Sequence, residues 1–92
     1  MWYRKSRGFK SRRLKSAEGI YQYHILRRDF WTRKHDAAQF PEKKQIYYEK
    51  IQRSLARAVF RGKEYLQVLA REIPALYQTE KRKLEALESS LK

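Results

Sequence analysis

From Tyr48 to Leu76 the chain repeats a single pattern. Tyr48, Ile51, Leu55, Ala58, Gly62, Tyr65, Leu69, Ile73 and Leu76 follow one another at steps of three and four. That near-heptad spacing places all nine on one seam of a long helix, and such a seam has to be covered by protein. Pro41 is well placed as the first residue of this helix, where a missing N–H costs nothing. Pro74 has no donor and crowds the preceding turn, so a kink or restart is expected near Ile73.

The flanking segments complete a helical reading. Ser16 as a cap, with Glu18 in the first turn, predicts a helix that runs to about Lys34. Ile20, Tyr23, Leu26, Phe30 and Trp31 share its broad apolar face, which assigns Phe30 to the core and leaves Trp31 between the core and a stacked ligand. Residues 35–40, HDAAQF, make the connection. Beyond Pro74, Leu84, Leu87 and Leu91 recur among alternating charges, the pattern of a helix facing solvent or a partner. The expected fold is all-α, a helical hairpin whose long second helix is kinked. An extended basic arm over residues 1–15 precedes a single helical domain over residues 16–92, with helices at about 16–34, 41–73 and 75–91.

Size and charge narrow the function. A chain of 92 residues buries only ~60 to 65% of its unfolded surface, so its core is thin and support from a partner is expected. There are 23 Lys and Arg against 10 Asp and Glu, a formal charge of +13. Such an imbalance asks for a negative partner. It is also unevenly spread. Residues 1–15 hold seven cations and no acid, residues 41–63 hold seven cations and two acids, and residues 64–92 hold five of each sign. The first segment, with Gly8 and few aliphatics, reads as a basic arm that orders on a partner. Its acid-poor, Ser-containing composition also fits an organelle-targeting segment.

Several classes of chemistry find no residues to carry them. Without Cys there is no disulfide and no thiolate metal site. His24 and His35 are the only histidines, and no ligand-spaced carboxylates accompany them. The three glycines, at positions 8, 19 and 62, form no phosphate loop, and no nucleophile, base and orienting group stand together. The expectation is a protein that is not an enzyme and needs no cofactor. MWYRKSRGFK lacks the apolar segment of a secretory signal, and no apolar run reaches the ~18 to 20 residues of a membrane span.

Binding remains, and RNA is the ligand the residues suit. Seven Tyr, four Phe and two Trp stand among the cations. Basic side chains neutralise phosphates while aromatic and guanidinium planes stack on exposed bases. Lys50, Arg53, Arg57 and Arg61 form a ridge beside the seam, at about 200° to 280° around the wheel from Ile51. Like charges repel at such spacing and make better sense against a polyanion. The candidate RNA contacts are Arg4, Lys5, Arg7, Lys10, Arg12, Arg13 and Lys15 in the arm, then Arg27, Arg28, Trp31, Arg33 and Lys34, and finally Lys43, Lys44, Lys50, Arg53, Arg57 and Arg61. DNA is the weaker candidate, because few Asn or Gln side chains are present to read base edges.

Two resemblances sharpen this expectation. Phe9-Lys10, Lys15, Gly19-Ile20, the run Arg27-Arg28-Asp29-Phe30-Trp31, and Pro41 followed by Lys43, Lys44, Tyr48 and Glu49 resemble ribosomal small-subunit protein twenty-one, a bacterial and mitochondrial family. The similarity spans residues 9–53; the intervals before Arg27 and between Trp31 and Pro41 are longer here, and the last third has no counterpart in the short bacterial form. It implies a helical protein lying on rRNA of a small subunit, in the mitochondrial matrix or otherwise the cytoplasm, with Arg27, Arg28, Arg33 and the second helix's cations on phosphates. Neighbouring ribosomal proteins are then expected on residues 64–92. Ile25-Leu26-Arg27, with Phe30 downstream, is also similar to the mitochondrial leucine-tyrosine-arginine proteins, with Leu26 in place of the central Tyr. That resemblance implies an accessory subunit or assembly factor of a respiratory complex.

Overall fold

A computed structural model describes residues 10–91, which form three helices and no strand. They are α1 (Arg12–Ala37), α2 (Pro41–Glu72) and α3 (Pro74–Glu88). Proline opens both later helices. Pro41 stands at the start of α2, and Pro74 opens α3 immediately after Ile73, whose φ of −139° and ψ of 71° break the helical path. Of the expected kink or restart near Ile73, the chain takes the restart.

The helix α1 begins earlier than its composition suggests. Ser11, not Ser16, is the cap, and its Oγ accepts the Leu14 N–H at 3.0 Å. What draws the start forward is Leu14, which has no solvent exposure and belongs to the core. Lys10 adds an ion pair to Glu18 at 2.7 Å. Arg12, Arg13 and Lys15 are therefore on a helix and not in an extended arm. At the other end, Lys44 of α2 donates to the His35 carbonyl at 3.1 Å, a second bond to an oxygen that also accepts the Ala38 N–H at 3.2 Å. The loop to α2 is correspondingly short.

The central element is α2. Its 32 residues are about 48 Å long at 1.5 Å per residue, and α1 and α3 both pack along it. Tyr21 meets Tyr65 at one end of the α1–α2 contact and Trp31 meets Tyr47 at the other, so the two helices are antiparallel. The α3 helix folds back on the second half of α2, with Leu84 against Gly62 and Lys63 paired with Glu88 at 3.3 Å. The result is an elongated body of 55 × 25 × 16 Å.

The core gathers Leu14, Tyr21, Val59, Tyr65, Leu66, Leu69 and Leu84. Leu55, Ala58, Gly62, Tyr65 and Leu69 of the seam are buried as expected, while Ile51 and Ile73 are half-buried and Tyr48 and Leu76 are exposed. Val59 and Leu66 lie off the expected seam and are buried in the core. Leu84, Leu87 and Leu91 do not face solvent or a partner as expected. Leu84 is buried, and Leu87 and Leu91 pack on the same cluster. Burial pushes the Tyr65 hydroxyl up to about 12, with smaller contributions from Glu18, Glu80 and Tyr21.

The packed face of α1 is also different from the one its strongest apolar residues mark. Ile20, Tyr23, Leu26 and Phe30 are 44%, 55%, 65% and 40% exposed. At 100° per residue, Leu26 and Phe30 stand about 120° to 160° around the helix from Leu14. Leu14, Ala17, Tyr21 and Ile25 make the contact instead. The cause lies on α2, where Gly62 has no side chain: a Cβ there would meet Tyr21 Cε1 at 2.8 Å. A flat ring can enter at that point, and Tyr21 fills it by stacking on Tyr65 with ring centroids 5.4 Å apart.

Candidate functional site

The register set by Tyr21 against Gly62 fixes what meets farther along. Ten residues on from Tyr21, Trp31 stacks on Tyr47 of α2 with centroids 5.9 Å apart and planes 23° from parallel. Phe30 closes on its edge at 4.9 Å. The Trp31 ring is thus a half-buried part of the helix pair, with cations over it. Arg27 Cζ lies 5.6 Å from the ring centroid and Lys50 Nζ 4.9 Å. Both distances fall within the ~6 Å at which a cation feels the ring's negative face.

These contacts floor a groove between α1 and α2 of about 120 Å³, to which Arg53 and Arg57 also turn, with Ser54 and His24 between them. No carboxylate lines it. Among the described residues, Arg27, Lys50, Arg53 and Arg57 have no acidic partner within ion-pair distance. Four cations thus share one concave surface in a place where repulsion has no internal relief. His24 registers that field. Its imidazole is held below the usual histidine value, first by burial and then by the charges of Arg57, Arg61 and Arg27.

The groove continues past His24 and Arg57 into a second, more open part bordered by Ala56, Phe60 and Arg61. Arg61 behaves differently from the rest of the ridge, since it pairs with Glu64 at 2.9 Å and lies over the Phe60 ring at 5.5 Å. It closes the groove's end.

Of the residues that the sequence marked for RNA, five converge here: Arg27, Trp31, Lys50, Arg53 and Arg57. Arg61 borders the extension. Others are elsewhere or already engaged. Arg28 is half-buried, with Nε 2.8 Å from Asp29 Oδ1 but off the direction of its N–H, which leaves a charge contact and no hydrogen bond. Lys34 lies over the Phe30 ring, Lys44 holds the end of α1, and Lys10 is paired with Glu18. Arg12, Arg13, Lys15, Arg33 and Lys43 are on the exposed surface. Arg4, Lys5 and Arg7 lie outside the described residues.

Tyr23, His24, Ser54 and Phe60 border the groove without having been marked by the sequence. Tyr23 shares a face with Ile20, which reads as an apolar face for the core. Ser54, a polar residue only 8% exposed beside the apolar seam, completes the lining, and the signal in the sequence that leads to this surface is the ridge of Lys50, Arg53 and Arg57. No protein family, characterised protein or solved structure matches the chain.

Proposed function

We propose that this chain is a non-enzymatic structural protein that binds rRNA as a constituent of a ribosome. The observation that carries the reading is the groove: four cations without acidic partners, converging over an aromatic floor. An anion placed there would find Coulomb attraction from every side and displace no internal ion pair. The ribosomal and mitochondrial setting is supported by the residues that resemble small-subunit protein twenty-one. Protein neighbours on residues 64–92 remain part of the proposal, resting on their balanced charge.

Salt dependence tests it. Four phosphates held in the groove give a log–log slope of affinity against salt of about −2.8 to −3.6. In fluorescence anisotropy with an rRNA fragment, Arg53→Glu plus Arg57→Glu removes binding while circular dichroism keeps the helical signal. A slope near zero, or full affinity in the double variant, refutes the reading.

A second reading draws on the far side of α1. Leu26 and Phe30, next to the Ile25-Leu26-Arg27 tripeptide, are exposed in a row that a protein neighbour would cover. That favours an accessory subunit or assembly factor of a respiratory complex, for which RNA affinity in the same titration would be absent.

A further inference from the structure

Two large rings stand at the rim of the cationic groove with little of the fold over them. Tyr23 of α1 is 55% exposed and Phe60 of α2 is 60% exposed. Tyr23 borders the part floored by Trp31, and Phe60 borders the extension. His24 and Arg57 line both parts, so the two adjoin. Along their α2 wall Lys50, Arg53, Arg57 and Arg61 succeed one another at steps of three and four residues, a rise of about 4.5 to 6 Å per step. Cations in a row with aromatic rings beside them are the layout that suits a strand whose bases are free.

A double helix makes poor use of it. Its phosphates could lie on the cations, but its bases are stacked and paired, which leaves Tyr23 and Phe60 facing water or sugar. An unpaired strand offers both components at once, with the backbone to the charges and base faces to the rings. The Arg61 guanidinium already flanks Phe60, which positions the ring beside the track.

We infer that the α1–α2 groove is a site for an unpaired RNA strand, with phosphates along Lys50, Arg53, Arg57 and Arg27 and bases on Tyr23 and Phe60. The inference rests on the RNA-binding reading and narrows its ligand to loops, bulges or single strands. The two are separable by experiment. Counterion release by itself favours a duplex, whose charge density is higher; stacking favours the single strand.

The test compares the full chain's binding to a labelled ten-nucleotide oligouridylate and to a labelled ten-base-pair RNA duplex. The single strand binds more tightly. Tyr23→Ala and Phe60→Ala each weaken it about tenfold and leave the duplex affinity unchanged. Leu76→Ala, a truncation of an exposed residue on α3, changes neither. If the duplex binds at least as well, or if both ring truncations are silent while the steep salt dependence persists, the groove holds backbone alone. The inference then falls and RNA binding stands. Absence of binding to either probe overturns both.

Discussion

Gly62 is the residue on which the three helices agree. A Cβ at this position would come within 2.7 Å of Leu84 Cδ1 and 2.8 Å of Tyr21 Cε1, so the Leu84 side chain and the Tyr21 ring would have to shift. Because Tyr21 sets the register that brings Trp31 over Tyr47, the groove depends on this glycine from a distance. Gly62→Ala is expected to destabilise the fold by about 1 to 3 kcal/mol through overpacking, even though alanine is the better helix former. Urea denaturation measures it, and a stabilised variant would mean that the neighbours yield freely. His24 supplies a second prediction at this scale. Its folded value is depressed, so its contribution to stability is present above the unfolded value of about 6.5 and is lost as pH falls through the folded one. Tyr23 and Arg27 of α1 and Arg53, Arg57 and Arg61 of α2 surround the ring. An anion in the groove would offset the arginines and raise His24, so binding takes up a proton and tightens as pH falls toward the lowered value of the free folded histidine. His24→Asn should flatten that dependence in anisotropy measured at pH 5.5 and 7.5.

At the level of elements, α1 carries the instructive difference. Ser11 caps it by accepting the Leu14 N–H, whereas Ser16 is an exposed residue in its second turn. Ser11→Ala is therefore expected to cost about 1 kcal/mol, and Ser16→Ala should cost almost nothing; thermal denaturation of the two variants compares them. The reverse order would place the helix start where composition alone had put it. The limits of α2 and α3 could be read in advance because Pro41 and Pro74 act locally and the α2 seam is long. The contact face of α1 could not. Its wheel offers two stripes, and the more apolar one, with Ile20, Leu26 and Phe30, is exposed because α2 receives the ring of Tyr21 at Gly62. A decision of that kind belongs to the partner helix and leaves no trace in the pattern of α1. The site divides in the same way. Lys50, Arg53 and Arg57 formed a ridge on a helical wheel, but a ridge becomes a groove only when α1 brings His24, Arg27 and Trp31 to face it.

For the whole molecule, charge and shape act together. The described residues, 10–91, carry 19 Lys and Arg against 10 Asp and Glu, a formal +9, in a body 55 Å long that repels itself, and the groove concentrates part of that repulsion where no carboxylate answers it. Added salt should then have opposite effects on the two equilibria. It screens the cations from one another and stabilises the fold, while it competes with RNA and weakens binding. A polyanion should do at low concentration what salt does at high concentration, because it binds the folded groove and has no such arrangement in the unfolded chain. At free RNA 100-fold above its Kd, linkage predicts about 2.7 kcal/mol of added stability. For a chain of this size each kcal/mol is worth roughly 4 to 8 °C in Tm. The expected result is a rise in Tm of more than about 10 °C with saturating single-stranded RNA. The rise should shrink as salt increases, and the Arg53→Glu plus Arg57→Glu variant should show none. The same variant should be more stable than the parent in the absence of RNA at low salt, since two repelling charges have been reversed. A drop in its Tm would instead mean that Arg53 and Arg57 hold the helices together, and that the groove's charge serves the fold before any ligand.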